Sequence, residues 1–188
     1  MKKFFISLLA MSILSMLTVA NAKSIRIGTE GAYPPWNNLN AAGELEGAEI
    51  DFGNEACKRM GAECEWVIQD WDGIIPALLN GKYDIIIAGM SITEERKQKV
   101  NFTNGYMNDG ARFWVLKNSG LANLSVGGVT KVNMNNAGGK ENAAVGQLIA
   151  AFESKTVCVQ SSTTHANFAT QYMSTGSNVK LYQTVDDH

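Results

Sequence analysis

The chain has 188 residues, 45% of them hydrophobic, with 16 Lys+Arg against 18 Asp+Glu and a formal net charge of −2. Its basic residues are scattered and form no run, which excludes a nucleic-acid binder built on a basic patch. Only His165 and His188 are present and neither stands at ligand spacing to a cysteine, so the pattern predicts no metal and no cofactor.

In chain order, Lys2-Lys3, the apolar stretch from Phe4 to Ala20 and the small-residue site Ala20-Asn21-Ala22 read as a cleaved export signal. Cleavage before Lys23 leaves 14 Lys+Arg against 18 Asp+Glu, a mildly acidic chain that would favour a cationic small molecule. Past Ala22 there is no further apolar run long enough to cross a bilayer. Ile25–Thr29 predicts a strand, and Ile50–Met60 a helix with Phe52, Ala56 and Met60 along its apolar stripe. Cys64–Ile68 predicts a second strand. Asp72 is placed to cap a helix through Leu79, with Pro76 one turn in and Asn80-Gly81 as its stop. Tyr83–Ala88 predicts a third strand. In an oxidising compartment Cys57 and Cys64 are expected to form a disulfide across a short loop.

Alternating strands and helices imply parallel strands with right-handed crossovers, and ligands of such sheets bind beyond the strands' carboxyl ends. Three segments leave those ends: Glu30–Trp36, Asp70–Asp72 and Ala88–Ser91. In the third, an apolar run empties through Ala88-Gly89-Met90 into hydroxyls at Ser91 and Thr93, acidic Glu94 and Glu95, and Arg96. Backbone N–H groups beside a planar guanidinium fork suit a carboxylate; the ordinary alternative is a solvated surface arginine. Tyr33 and Trp71 could sandwich an alkyl chain or a guanidinium, or merely cap the sheet edge. Glu30 is the carboxylate best placed to meet a cationic ligand tail.

After Lys99 the pattern changes. Val100–Thr103 and Ala111–Lys117 read as strands, the second leaving the first lobe. Residues rich in Gly, Asn, Ser and Ala follow, then a short helix over Val145–Phe152, a strand over Thr156–Gln160, a helix from His165 to Met173 and a strand from Val179. The organisation expected is a signal peptide at 1–22, lobe 1 at 23–112, a hinge strand at 113–118, a connector or insertion at 119–155 and a partial, truncated lobe 2 at 156–188. Cys158, in an apolar strand, is expected to be a buried inert thiol. No Ser–His–Asp, paired-carboxylate or Cys–His arrangement is evident, so no catalytic residue is predicted.

Ile25–Glu30, Tyr33-Pro34-Pro35-Trp36, Gly47-Ala48-Glu49-Ile50-Asp51, Trp71–Leu78, Asp84–Arg96 and Phe102-Thr103 together resemble the periplasmic amino-acid-binding proteins of ABC importers, in the lysine/arginine/ornithine, histidine and opine-binding branch. The resemblance is dense from Ser24 to Lys117 and resumes at Thr156. It implies an α/β fold of the type II periplasmic binding protein kind, with two parallel-sheet lobes joined by a hinge, and no enzyme activity. Arg96 and Ser91, with Thr163 and Thr164 opposite, would then hold an α-carboxylate. Ala88 and Gly89 would offer backbone groups where many relatives carry serines. Tyr33 and Trp71 would stack on the ligand side chain, and Glu30 would meet its positive end. His165 stands where relatives often carry a polar amide. The Cys57–Cys64 pairing fits the same branch. The implied partners are an amino acid or opine and importer permease subunits, for a monomeric periplasmic protein. A periplasmic enzyme on the same scaffold, such as a cyclohexadienyl dehydratase, and a receptor's sensory domain are the alternatives.

Overall fold

Strand β1 (Ser24–Thr29) is the centre of the first sheet, with parallel neighbours on both sides. The computed structural model describes residues 24–187, and the predicted export signal lies outside them. After β1 come three short antiparallel strands, β2 (Ala32–Tyr33), β3 (Asn37–Leu39) and β4 (Leu45–Glu46). Helix α1 (Ala48–Met60) and strand β5 (Glu63–Ile68) follow, then a 3-10 turn at Trp71–Gly73, helix α2 (Ile74–Leu79) and strand β6 (Ile85–Ile86). The sheet order is β5-β1-β6, so both crossovers return to parallel neighbours as the alternation predicts. The β6 ladder is shorter than Tyr83–Ala88, but Asp84 and Ile87 N–H groups extend the pairing to the Arg26 and Gly28 carbonyls at 2.9 and 3.0 Å. Arg26 also grips the Asp84 carboxylate, holding its pKa well down, at about 2.

The two faces of the sheet are packed differently because strand side chains alternate. One face sets Ile27, Ile87 and Cys57 together with Ile25, Cys64 and Trp66 under α1. The other sets Trp71, Ile74, Tyr83 and Ala88 under α2. Gly28 points into this second layer, where a Cβ would lie 2.5–2.7 Å from the Tyr83 ring. Tyr83 is fully buried and donates its hydroxyl to the Ile74 carbonyl. The Cys57–Cys64 disulfide ties the end of α1 to β5.

Helix α1 corrects the predicted stripe. Its buried residues are Glu49, Ile50, Gly53 and Cys57, whereas Phe52 and Met60 are exposed. The disulfide and the Trp66 ring, which lies over Gly53, hold that face inward. Asp72 is a second correction, because α2 begins after the 3-10 turn and receives no side-chain cap. The strands expected over 100–103 and 111–117 are absent as well. No neighbouring strand among the described residues pairs with them, and Trp114 and Leu116 stand exposed.

Past the short helix α3 (Glu94–Lys97), the second layer system begins with α4 (Gly139–Ala151), longer than the helix predicted from Val145. Strand β7 (Thr156–Gln160), helix α5 (Thr164–Met173) and strand β8 (Asn178–Tyr182) complete a parallel β-α-β unit. Phe152, Val157, Val159, Ala166, Ala169 and Met173 form its core, with Leu148 and Ile149 of α4 packed against them. Part of the stretch read as connector therefore contributes to this lobe's core. Val157 and Val159 point inward, so Cys158 between them points out: it is an exposed thiol, not a buried one, 3.9 Å from the Tyr182 hydroxyl. Among the described residues no helix is long and apolar enough to cross a membrane.

Gly28→Ala should destabilise the protein by about 1–3 kcal/mol, because the new methyl overpacks the Tyr83 layer. Equilibrium denaturant unfolding measures this, and a wild-type midpoint would contradict the packing described.

Candidate functional site

Both parallel sheets direct their carboxyl ends to the same place. From the first lobe come Glu30 after β1, the Trp71 turn after β5, and Ala88–Ser91 after β6; from the second comes Gln160–His165 after β7. Side-chain hydrogen bonds join the two sides. Trp71 Nε1 and Arg96 Nη2 both donate to the Ser162 carbonyl, at 3.1 and 3.0 Å. Ser161 Oγ donates to the Asp72 carboxylate at 2.9 Å, which is the role Asp72 takes in place of capping. Gln160 Nε2 donates to Glu30 and also to the Gln183 carbonyl.

Arg96 is placed by its own short helix. Thr93 is the residue that caps α3, accepting the Arg96 N–H at 3.2 Å, while Ser91 lies before the cap and accepts Arg96 Nη1 at its carbonyl, 2.9 Å away. The guanidinium carbon sits 5.3 Å from the Trp71 ring centroid, a cation–π distance. Desolvation lowers its pKa, opposed by Glu95, yet an arginine starting so high stays charged. Its fork retains N–H donors beyond the two bonds described.

Glu30 is only 8% exposed. Burial pushes its pKa up, the Gln160 hydrogen bond pulls it down, and the charges of Asp70, Asp72 and Asp186 push it up again. Among the described residues no Lys or Arg lies at ion-pair distance from it. This is a buried carboxylate in an acidic setting with an amide as its partner.

The remaining predicted residues divide. Trp71 is buried with its indole N–H directed across the cleft, and Tyr33 is half-buried against Gly89, where a Cβ would lie 3.2 Å from the ring. Ala88 is packed into the lobe-1 core, and the Gly89 N–H donates to Glu49 at 2.7 Å, so that donor is already engaged. Thr163 caps α5, accepting from the Ala166 N–H at 3.0 Å and donating to the Gln160 carbonyl at 2.8 Å. Thr164 and His165 open that helix, Thr164 half-buried and His165 exposed. The sequence reading missed Gln160, Ser161, Ser162 and Asp72 as cross-cleft partners. The hydroxyl-rich turn after β7 was visible, but nothing in the sequence says which loop of the other lobe it meets.

Two α/β units thus set the carboxyl ends of their strands against one another through polar contacts. The chain belongs to the bacterial extracellular solute-binding proteins, family 3, whose pattern matches residues 25–186. It is 37% identical over 178 residues to an octopine-binding periplasmic protein of Rhizobium meliloti, covering 95% of this chain and 60% of that one. A periplasmic His/Glu/Gln/Arg/opine family-binding protein from Silicibacter pomeroyi, solved in complex with lysine, superimposes with a TM-score of 0.62 at 37% identity, covering 87% of this chain and 60% of that one. An ancestral amino acid-binding protein, described as a precursor of cyclohexadienyl dehydratase, superimposes with a TM-score of 0.68 at 29% identity, covering 87% and 63%. The chain thus spans about three-fifths of the length of these relatives.

The Arg96–Trp71 contact is separately testable. A double-mutant cycle with Arg96→Ala and Trp71→Leu, read by denaturant unfolding, should give a coupling of about 0.5–1 kcal/mol or more, from the ring contact together with the shared Ser162 acceptor. Additive effects would contradict the stacking.

Proposed function

We propose that the chain is the ligand-capturing part of a periplasmic solute-binding protein that takes an amino acid or opine with a cationic side chain and presents it to an ABC importer permease. The observation that carries this reading is Glu30. A buried carboxylate crowded by Asp70, Asp72 and Asp186 is costly to ionise, and a ligand cation is the group that would relieve it. Tyr33 and Trp71 supply faces on which an alkyl-guanidinium or ammonium tail would lie. Arg96, with Ser91 beside it and the Thr163–Thr164 turn opposite, supplies the other pole, suited to an α-carboxylate. Gly89 and His165 would line the space between, with Ala88 behind them in the lobe-1 core.

Positive and negative ends held apart in this way select a zwitterion with a charged tail. In this reading residues 113–118 serve as the hinge, and the cross-cleft hydrogen bonds belong to the closed arrangement. Capture and release need no bond chemistry, so no residue is assigned a catalytic role. The octopine-binding relative and the lysine-bound one support the ligand class, and both being periplasmic proteins supports the compartment.

Isothermal titration with arginine, lysine, octopine and the neutral analogue citrulline tests the proposal. Glu30→Gln should weaken arginine by about 30-fold or more, as expected for stripping one partner from a buried charge pair, and citrulline by less than about threefold. Arg96→Ala should abolish binding of both. Equal losses for arginine and citrulline in Glu30→Gln would overturn the assignment. So would turnover of a cyclic carboxylic acid without binding of any amino acid. In the ligand-free protein, folding raises the Glu30 pKa, so its ionisation costs stability as pH rises from the ordinary carboxylate range through the raised value. Glu30→Gln should remove that slope from a plot of stability against pH.

A further inference from the structure

One buried carboxylate lies outside the set of ligand contacts yet touches the elements that carry them. Glu49, in the first turn of α1, is 2% exposed. Its Oε2 accepts from Asn37 Nδ2 at 2.7 Å, and its Oε1 accepts from the Gly89 N–H at 2.7 Å and from the Tyr106 hydroxyl. Asn37, itself fully buried, passes the connection on: its Oδ1 accepts the Gly31 N–H at 2.8 Å, next to Glu30. Gly89 is the residue on which the Tyr33 ring rests. The backbone of Glu49 is fixed too, through its N–H on the Trp36 carbonyl at 2.9 Å. Phe52, one helical turn on, stacks on Tyr106 with ring centroids 5.3 Å apart and the planes 18° apart. That stack accounts for an apolar side chain left exposed on α1.

We propose that Glu49 is a positioning residue that locks the Glu30 loop and the Gly89 loop into one geometry, with Tyr106 joining the segment leaving lobe 1 to the same anchor. The donor set makes the case. Three donors converge on two oxygens, and the Gly89 N–H cannot reverse its polarity. An amide at position 49 would turn an N–H against either the Gly89 N–H or the Asn37 amide nitrogen. Flipping Asn37 in response would set its nitrogen against the Gly31 N–H. Every arrangement leaves two donors facing each other in a buried site. A glutamate is therefore required where a helical surface position would accept glutamine.

The effect on affinity rests on the ligand reading above, whereas the effect on the loops does not, and the experiment separates the two. The polarity can be exchanged as a pair. In Asn37→Asp with Glu49→Gln, the aspartate accepts from Gly31 and from the new amide nitrogen, and the amide oxygen accepts from Gly89 and Tyr106. Amide hydrogen exchange at Gly31 and Gly89 is measured by NMR in the whole chain, with the global unfolding midpoint and arginine titration alongside. Glu49→Gln should speed exchange at one or both glycines by about tenfold or more, and weaken arginine by about tenfold or more, beyond any change in global stability. The paired exchange should return both glycines, and the affinity, to within about threefold of wild type. Should Glu49→Gln not fold, the exchanged pair decides alone, because restored complementarity requires a folded chain with both amides protected. Wild-type protection in Glu49→Gln, or an exchanged pair that fails to recover protection, overturns the proposal. If the amides follow the predicted pattern while even the wild type ignores arginine, positioning by Glu49 stands and the ligand reading fails.

Discussion

A parallel sheet puts the carboxyl ends of all its strands on one edge, and the loops that leave them have nowhere else to gather. In the first lobe this brings Glu30, Trp71 and the Ala88–Ser91 turn together from positions dozens of residues apart. In the second, the β7–α5 junction repeats the arrangement in miniature. The cleft follows from the two edges facing each other. Its closing contacts are mostly to backbone carbonyls and small hydroxyls: Ser162 receives both Trp71 and Arg96, and Ser161 donates to Asp72.

Two glutamates near that edge show how surroundings divide one chemistry into two roles. Glu49 is ringed by donors and holds the loops still. Glu30 has an amide and a set of acidic neighbours, and its proton affinity rises accordingly. The first accepts three hydrogen bonds within the fold, while the second accepts from Gln160 and has no Lys or Arg at ion-pair distance among the described residues. Through Asn37 and the Gly31 N–H, the first carboxylate fixes the backbone next to the second.

Much of the fold was legible in the sequence. Ile25-Arg26-Ile27, Cys64–Ile68 and Thr156–Gln160 announce strands by composition and alternation, and the Cys57–Cys64 pairing follows from compartment and spacing. The misreadings share a cause. Periodicity puts the apolar stripe of α1 on Phe52, Ala56 and Met60, yet Glu49, Gly53 and Cys57 face inward, because a glycine under Trp66 and a buried carboxylate outrank hydropathy there. Phe52 is instead occupied with Tyr106. Ala111–Lys117 has the composition of a strand, but a strand exists only through its partner. Asp72 looks like a helix cap until Ser161 arrives from nearly ninety positions away. Pairwise meetings of this kind are decided by tertiary geometry, which local pattern does not encode. The same holds for the site: Glu30, Trp71 and Arg96 stood out as residue types, whereas Gln160 and Glu49 could be recognised only from what they touch.

Glu30 is a buried acid, and its proposed partner is a ligand's positive charge. The most direct measurement is the titration of its side-chain carboxyl carbon by NMR, in the free protein and with saturating arginine. The free protein should give a pKa above the usual carboxylate range, because desolvation and the neighbouring aspartates favour the protonated form. Arginine should bring it down, so that binding releases protons between the two values and affinity rises with pH across that interval. A Glu30 that titrates at the ordinary value in the free protein, or whose pKa is unmoved by arginine, would contradict its role as the cation's partner.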